Sequence, residues 1–381
     1  MAVGVACGYH DLVIRRLYAH NYRCFQNFTL DLTGLSSALV IGNNGTGKTN
    51  IGRVLERLQA IAGGATRVGG IVTPKDISFS GSGLPIRFEL EVEIQGDVFT
   101  YGIAFEFPKG FKEMRVAEER LARSGVAVFE RETNRVRLPR GSERGEVSFS
   151  LDWHSVALPL VEEPASGDSI RIFQQWLSRV LILRPIPQRI DGDSKDEVLQ
   201  PRAEVDNFGE WFSGVLAQHP AAYRVFEDFL RGVMPDLLAV RNPSTARETR
   251  SLVLHFREGE REIQLPFAEL SDGEKCLIIG ATVLAARDAD PGLFCFWDEP
   301  DNHLSLSEVS LFVSSLRRHF SGGGQFLATS HNPEAIRAFA DENTFVLERR
   351  SHLEPSIVRR LSDLSVPGDL VNALIRGDVG G

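Results

Sequence analysis

Apolar and polar residues alternate most regularly from Ile86 to Ile94, where Ile86, Phe88, Leu90, Val92 and Ile94 are interleaved with Arg87, Glu89, Glu91 and Glu93. A period of two places the five apolar side chains on one face, which predicts a half-buried strand. Gln95-Gly96-Asp97 supplies a turn, and Phe99, Tyr101, Ile103, Phe105 and Phe107 repeat the alternation beyond it, so the two runs form a hairpin. Looser alternation between residues 12 and 32, with Val13, Leu17, Phe28, Leu30 and Leu32 on either side of Asn21-Tyr22-Arg23-Cys24-Phe25, predicts another hairpin. A third spans Val126 to Leu138 around Thr133-Asn134. Together these segments predict an antiparallel meander.

After residue 50 the period becomes helical: Ile51, Val54, Leu55, Leu58 and Ile61 recur at i, i+3, i+4, i+7 and i+10. Ile170, Phe173, Leu177 and Val180 share a second helical face, followed by Leu181-Ile182-Leu183 and a break at Pro185 and Pro187. Amphipathic runs at Phe208 to Leu216 and Val225 to Leu230 predict an inserted helical lobe. A strand pair, Leu252 to Phe256 and Glu262 to Leu265, closes it through Glu258-Gly259. Beyond it come an apolar helix, Cys276 to Ala286, a buried strand, Leu293 to Trp297, a helix carrying Val309, Phe312, Val313 and Leu316, and a strand, Gln325 to Ala328. The tail adds a strand-like Ser356 to Leu361 and a helix-like Asp369 to Ile375. The expected class is α/β, with a mixed sheet, an antiparallel meander and a helical insertion.

The apolar run Ala38 to Ile41 and the helix after residue 50 bracket Gly42-Asn43-Asn44-Gly45-Thr46-Gly47-Lys48-Thr49, with Asn50 following. This is the G-x-x-x-x-G-K-T spacing of a phosphate-binding loop in its strand-to-helix context. Its glycines let backbone N–H groups turn inward around phosphates, and the helix start adds its positive dipole end. Lys48 is expected to reach the β and γ phosphates of ATP, and Thr49 to offer a hydroxyl to Mg²⁺. Tyr22, Arg23 and Phe25 are read either as a border to the base or ribose or as packing.

A second set of candidates lies downstream. Leu270-Ser271-Asp272-Gly273-Glu274-Lys275 opens the apolar helix, with Ser271 placed as N-cap and Gly273 keeping the backbone bare, so this helix start also suits an anion. The strand Leu293 to Trp297 runs into Asp298-Glu299-Pro300, which places Asp298 for Mg²⁺ and Glu299 to orient the attacking water. His331 follows the strand ending in Thr329-Ser330 and is read as a contact to the γ-phosphate.

Composition narrows the setting. The chain has 381 residues, 43% apolar and 24% charged, with a net charge of −9, which fits a folded globular protein and confines nucleic-acid contact to a local patch. Arg131, Arg135, Arg137, Arg140 and Arg144 around the third hairpin are the candidate for that patch. The interspersed Glu130, Glu132 and Glu143 favour a solvated surface instead. Cys7, Cys24, Cys276 and Cys295 show no metal or redox spacing and suit free thiols, so a cytoplasmic location is expected. Neither an export signal nor a membrane-spanning run is visible. The acidic group Asp191, Asp193, Asp196 and Glu197 matches no Ca²⁺ template and is read as a solvated loop.

The ordered set GNNGTGKT, LSDGEK, FCFWDEP, DNHL and TSH resembles the ABC-type ATPases of the SMC, RecF and OLD class, and within it the stand-alone ATPases of anti-phage modules such as Septu and PARIS. The resemblance implies a P-loop NTPase that is an ABC-type ATPase head over residues 1–381. One lobe is expected at about 11–110 plus 290–381, and an inserted arm with the helical signature lobe at about 111–289. It further implies a head-to-tail homodimer, or a higher oligomer of such dimers, with ATP held between the P-loop of one subunit and the signature residues Ser271, Gly273 and Glu274 of the other. Asp301 becomes the D-loop residue, His331 the switch histidine, and Gln188 the candidate Q-loop glutamine.

Two departures shape the functional expectation. From Thr49 to Ser271 is 222 positions (271 − 49), about twice what a transporter ATPase needs, yet the interval lacks SMC-like heptads. Only 50 residues follow His331 (381 − 331), too few for the Toprim nuclease of full-length OLD proteins. The expected function is an ATPase that gates a separately encoded effector, a nuclease or toxin, in antiviral defence. The alternatives are a DNA-repair or chromosome-maintenance ATPase of RecF or SMC type and, less favoured, the nucleotide-binding subunit of a transporter. DNA or RNA stays open as a further partner, and no membrane is expected.

Overall fold

The computed structural model describes residues 12–364 apart from 80, 82, 140–145, 163–167, 247 and 340. Cys7, Arg140, Glu143, Arg144 and the expected helix at Asp369 to Ile375 therefore lie outside the described residues. The chain divides into two compact units, one of residues 1–180 with 341–381, the other of residues 181–340. The expected lobes, about 11–110 plus 290–381 and about 111–289, are bounded differently.

The first unit opens with β1 (Leu12–His20), β2 (Phe28–Asp31), β3 (Ser37–Ile41) and α1 (Lys48–Ala62). The meander follows as β4 (Ile86–Ile94), β5 (Asp97–Glu106), β6 (Arg115–Arg123), β7 (Val126–Glu132), β8 (Arg135–Pro139) and β9 (Glu146–Ser150), and then α2 (Ser169–Arg179). Eight strands form an antiparallel sheet in the order β2-β1-β4-β5-β6-β7-β8-β9. Gln95 and Gly96 both have positive φ, as a tight two-residue hairpin between β4 and β5 requires. Every inward apolar residue of β4 is buried, and α1 buries Ile51, Val54, Leu55, Leu58 and Ile61, the face that the sequence period predicts. Gln59 of α1 donates its amide to Val180 O at 2.6 Å, fixing the end of α2 against α1.

The second unit carries β10 (Leu181–Leu183), β11 (Asp193–Ser194), α3 (Phe208–Gln218) and α4 (Tyr223–Val233). Next come β12 (Leu237–Arg241), β13 (Ser244–Ala246), β14 (Thr249–Ser251), β15 (Val253–Glu258), β16 (Arg261–Pro266) and α5 (Asp272–Ala289). It ends with β17 (Phe294–Asp298), α6 (Leu306–Phe320), β18 (Gln325–Ser330) and α7 (Pro333–Arg337). β17 lies between β10 and β18, parallel to both and buried along its whole length. Burial on both faces explains its unbroken apolar sequence. The chain then returns to the first unit as β19 (Thr344–Glu348), parallel to β3, and β20 (Ile357–Arg360), antiparallel to β19. No helix among the described residues is long and apolar enough to cross a membrane.

Candidate functional site

In the first unit the phosphate loop joins β3 to α1, and its shape depends on bare glycines. A Cβ on Gly42 would collide with Leu347 O of β19, and one on Gly47, whose φ is 104°, would collide with Cys24 Sγ. Lys48 begins α1, buried, with its ammonium donating to Gly42 O at 2.7 Å and Asn43 O at 3.4 Å. Thr46 Oγ1 donates to Asn43 O at 2.8 Å. The loop's outward carbonyls are held from behind: Ser356 Oγ donates to Thr46 O at 2.5 Å and Arg349 Nη1 to Gly45 O at 3.4 Å. Asn50 Nδ2 contacts Cys24 Sγ at 3.1 Å. Asn50 thus steadies the loop from below.

Tyr22 and Phe25 are fully buried. Tyr22 meets Phe88 edge-on with centroids 5.0 Å apart, and Phe25 stacks on Phe28 at 4.1 Å. Their packing role is thereby established, and the base-bordering alternative falls for these two rings. Arg23 pairs with Asp76 at 2.9 Å.

In the second unit Asp298 and Glu299 end β17, and one buried hydroxyl serves both. Thr329 Oγ1, at the paired position on β18, donates to Asp298 Oδ1 at 2.6 Å and accepts the Glu299 N–H at 3.0 Å. Glu299 has φ 53°, left-handed backbone that costs a non-glycine residue about 1–2 kcal/mol. Its carboxylate accepts from Asn302 Nδ2 at 2.8 Å and faces His331 Nδ1 at 3.3 Å. The carboxylate and the histidine that the sequence proposes for catalysis therefore touch. Asp298 and Thr49 offer the hard oxygen donors that Mg²⁺ takes, and in nucleotide sites phosphates and water supply most of its remaining ligands. Among the described residues no cluster of three His, Cys, Asp or Glu side chains forms an all-protein metal site, the Asp191–Glu197 loop included.

Three further expected site residues have partners within their own chain. Asp301, expected to face nucleotide, is buried within its own subunit and accepts from Ser330 Oγ at 2.9 Å. Burial pulls its carboxyl pKa up while the Ser330 hydroxyl pulls it down, and the net shift is upward. Glu274 closes a capping box: its Oε2 accepts from Ser271 N at 2.8 Å and Ser271 Oγ at 2.7 Å, and its own N–H reaches Ser271 Oγ at 3.3 Å. Glu274 thereby caps the start of α5. Gln188 donates its amide to Asp272 Oδ2 in the first turn of α5, so it is tied to the signature helix. Gly273 is bare because His303 O lies 2.7 Å from where its Cβ would stand, which seats the Asp301-Asn302-His303 turn on the start of α5.

Arg131 is the plainest correction to the basic patch. Its side chain is 0% exposed, 3.7 Å from the equally buried Glu119, and donates to Thr133 O at 2.7 Å, Asp152 O at 2.9 Å and Ser155 O. It is out of reach of a phosphate backbone. Arg137 pairs with Glu132 at 2.9 Å, and Arg135 donates to Ser148 Oγ at 3.3 Å. Cys24, Cys276 and Cys295 are free and buried, as expected.

A family model described as "AAA domain, putative AbiEii toxin, Type IV TA system" matches residues 37–337, from β3 through the last turn of α7. The chain belongs to this AAA family. Among solved structures, an SMC head bound to the C-winged helix domain of ScpA aligns with a TM-score of 0.55 at 15% identity, over 92% of this chain and 98% of that one. A Pyrococcus furiosus Smc head with an extended coiled coil, bound to the C-terminal domain of ScpA, aligns at 0.51 and 14% identity, over 92% and 97%. The fold of this AAA protein is thus like that of an SMC head. No curated protein matches it in sequence. Ser356 and Arg349 carry no mark in the sequence, and Thr329, Asn302 and Cys24 are visible there only as members of TSH, DNHL and the free-thiol set, without their partners. Each is an ordinary polar residue whose importance lies in a partner far along the chain or in a turn without periodicity.

Proposed function

We propose that this AAA protein binds and hydrolyses ATP with Mg²⁺, closes as a head-to-tail dimer around the nucleotide, and uses that closure to gate a separately encoded effector. The observation that carries the reading is the Thr329-centred arrangement, with Asp298 and Glu299 fixed by one hydroxyl and His331 against the Glu299 carboxylate. The bare-glycine phosphate loop with Lys48 at its helix start supports it.

In this reading Lys48 and the loop N–H groups hold the β and γ phosphates, and Thr49 and Asp298 hold Mg²⁺, which neutralises charge developing on the phosphates. Glu299 takes a proton from the attacking water. His331 orients that carboxylate and meets the γ-phosphate, while Ser271 and the start of α5 meet the nucleotide of the partner subunit. The similar SMC heads carry a domain of ScpA, which supports a protein partner here. A DNA-repair or chromosome-maintenance role is the second reading, favoured by the SMC-head fold. Co-purification with the product of the adjacent gene tests the first reading: a nuclease or toxin supports gating in antiviral defence, whereas a permease would support a transporter.

The decisive experiment is light scattering of Glu299→Gln with ATP and Mg²⁺. The amide keeps the shape and removes the base, so ATP stays bound and a dimer accumulates, and Ser271→Arg in the same chain abolishes it. An unchanged mass distribution with nucleotide, together with no effect of Ser271→Arg, would refute the shared site. Retained turnover in Lys48→Ala would refute the P-loop assignment itself.

A further inference from the structure

Arg131 is buried and withdrawn from the basic hairpin, but the β5–β6 turn, at the same end of the meander as the β7–β8 turn, carries a different kind of surface. The turn between β5 and β6 reads Phe107-Pro-Lys109-Gly-Phe111-Lys112-Glu113-Met114-Arg115. The turn proper, residues 107–114, holds two cations and one anion, a local charge of +1 (2 − 1) in a chain whose total is −9, and Arg115 opens β6. Phe107 is 41% exposed and Phe111 47%, and Trp153, in the corner after β9, is 37% exposed. Val116 N donates to Trp153 O at 2.8 Å, which anchors that corner to the start of β6.

The rings are held rather than loose. Phe111 and Trp153 meet edge to face with centroids 6.1 Å apart, and the Arg115 guanidinium lies 4.9 Å over the Trp153 ring. Arg115 is positioned by Glu106 at 2.6 Å, and Arg67 on the other side of the corner pairs with Asp152 at 3.0 Å. Lys109 and Lys112 form no ion pair among the described residues. The surface therefore offers fixed, exposed aromatic rings beside two uncommitted ammonium groups.

We propose that this face binds single-stranded nucleic acid, its bases stacking on Phe111 and Trp153 and its phosphates meeting Lys109 and Lys112. Aromatic platforms flanked by cations bind unpaired bases with little sequence preference, because every base has a π-face. A duplex hides those faces, which singles out a single strand. Protein interfaces also enrich aromatic residues and Arg but deplete Lys, so the two lysines favour phosphate over a protein partner. The proposal does not depend on ATP hydrolysis and is tested without nucleotide.

The protein itself supplies the probe. Of its 4 tryptophans, Trp176, Trp211 and Trp297 are at most 5% exposed, so Trp153 is the one a bound base can reach. Titrating the full chain with oligo(dT) or oligo(U) of about 15 nucleotides, near the upper end of known site sizes, should quench tryptophan fluorescence. Trp153→Phe should abolish the quench, and comparison of the two oligomers reads DNA against RNA. By anisotropy, Trp153→Ala or Phe111→Ala should weaken binding roughly 5- to 150-fold. Lys109→Gln with Lys112→Gln should reduce the salt slope by about 1.4, at about 0.7 for each phosphate that is no longer neutralised. Circular dichroism confirms folding of each variant, all of which alter surface residues. The proposal is overturned by absence of quenching with either oligomer at low salt, by binding that ignores both aromatic substitutions, by equal affinity for duplex, or by quenching with anionic vesicles alone.

Discussion

Replacing Thr329 with Val removes one hydroxyl from a fully buried site while keeping the branched shape. Two interactions go with it: the donor to the Asp298 carboxylate at 2.6 Å and the acceptor of the Glu299 N–H at 3.0 Å. A hydrogen bond to a charged group contributes about 1.5–3 kcal/mol, and a buried N–H left without an acceptor costs about 1–3 kcal/mol. Since one side chain makes both, the combined loss is about 3 kcal/mol rather than the sum of the extremes. The second unit spans 160 residues (340 − 181 + 1), and domains of that size lose about 2–4 °C per kcal/mol, so its melting temperature should fall by roughly 6–12 °C. Scanning calorimetry reads this directly. Because Asp298 loses its orienting donor, half-maximal ATP hydrolysis should also require more Mg²⁺, the effect expected when a group that orients a metal ligand is removed. Thr329→Ser restores the hydroxyl and should restore the Mg²⁺ requirement, at a cost of about 1 kcal/mol for the missing methyl. Equal melting of the Val and Ser variants, with the same Mg²⁺ dependence, would show that the hydroxyl ties nothing together.

Two further outcomes follow from burial. Arg131→Met should destabilise the first unit by about 3–5 kcal/mol, because it leaves the Glu119 carboxylate buried beside Tyr101 without its cation. Arg135→Gln, on the exposed strand next to it, should stay within about 0.5 kcal/mol; equal melting temperatures for the two variants would contradict the buried pair. Burial pushes the Cys276 thiol up to about 12 and that of Cys295 higher still. At pH 8 roughly one Cys276 in ten thousand is thiolate, so iodoacetamide should label neither residue until the chain unfolds. Peptide mass spectrometry that finds either one modified in the folded protein would refute that environment.

The sequence disclosed the parts of this molecule in which a repeating pattern maps onto one face. The buried stripe of α1, the alternation of β4 and β5 and the apolar run of β17 were all legible. Illegibility had physical causes. β6 escaped notice because Glu119 holds an inward position where alternation demands an apolar residue, and the N–H groups of Ala157 and Leu158, at 2.7 and 2.8 Å, together with the Tyr101 hydroxyl and Arg131, make that tolerable. Arg131 looked like surface charge for the same reason: nothing local reveals that three carbonyls across a corner will surround it. Asp301 and Glu274 were assigned by motif position to the nucleotide, whereas their nearest partners are Ser330 and Ser271 of the same chain.

The hold that Ser356 and Arg349 have on the phosphate loop sets an order on biosynthesis. The loop leaves the ribosome early, but the hydroxyl that secures Thr46 O comes 310 residues later, and β19, whose Leu347 O packs against Gly42, comes only shortly before it. A nascent chain thus exposes its nucleotide motif long before that motif has a fixed shape. Contacts so distant along the chain form slowly and late, and domains of a growing chain fold as their last strands arrive. Nucleotide therefore cannot act as an early template for this protein. The loop's first opportunity to take its fixed shape coincides with completion of the β3-β19-β20 ladder, so under the proposed function nucleotide would meet only chains in which that ladder is present.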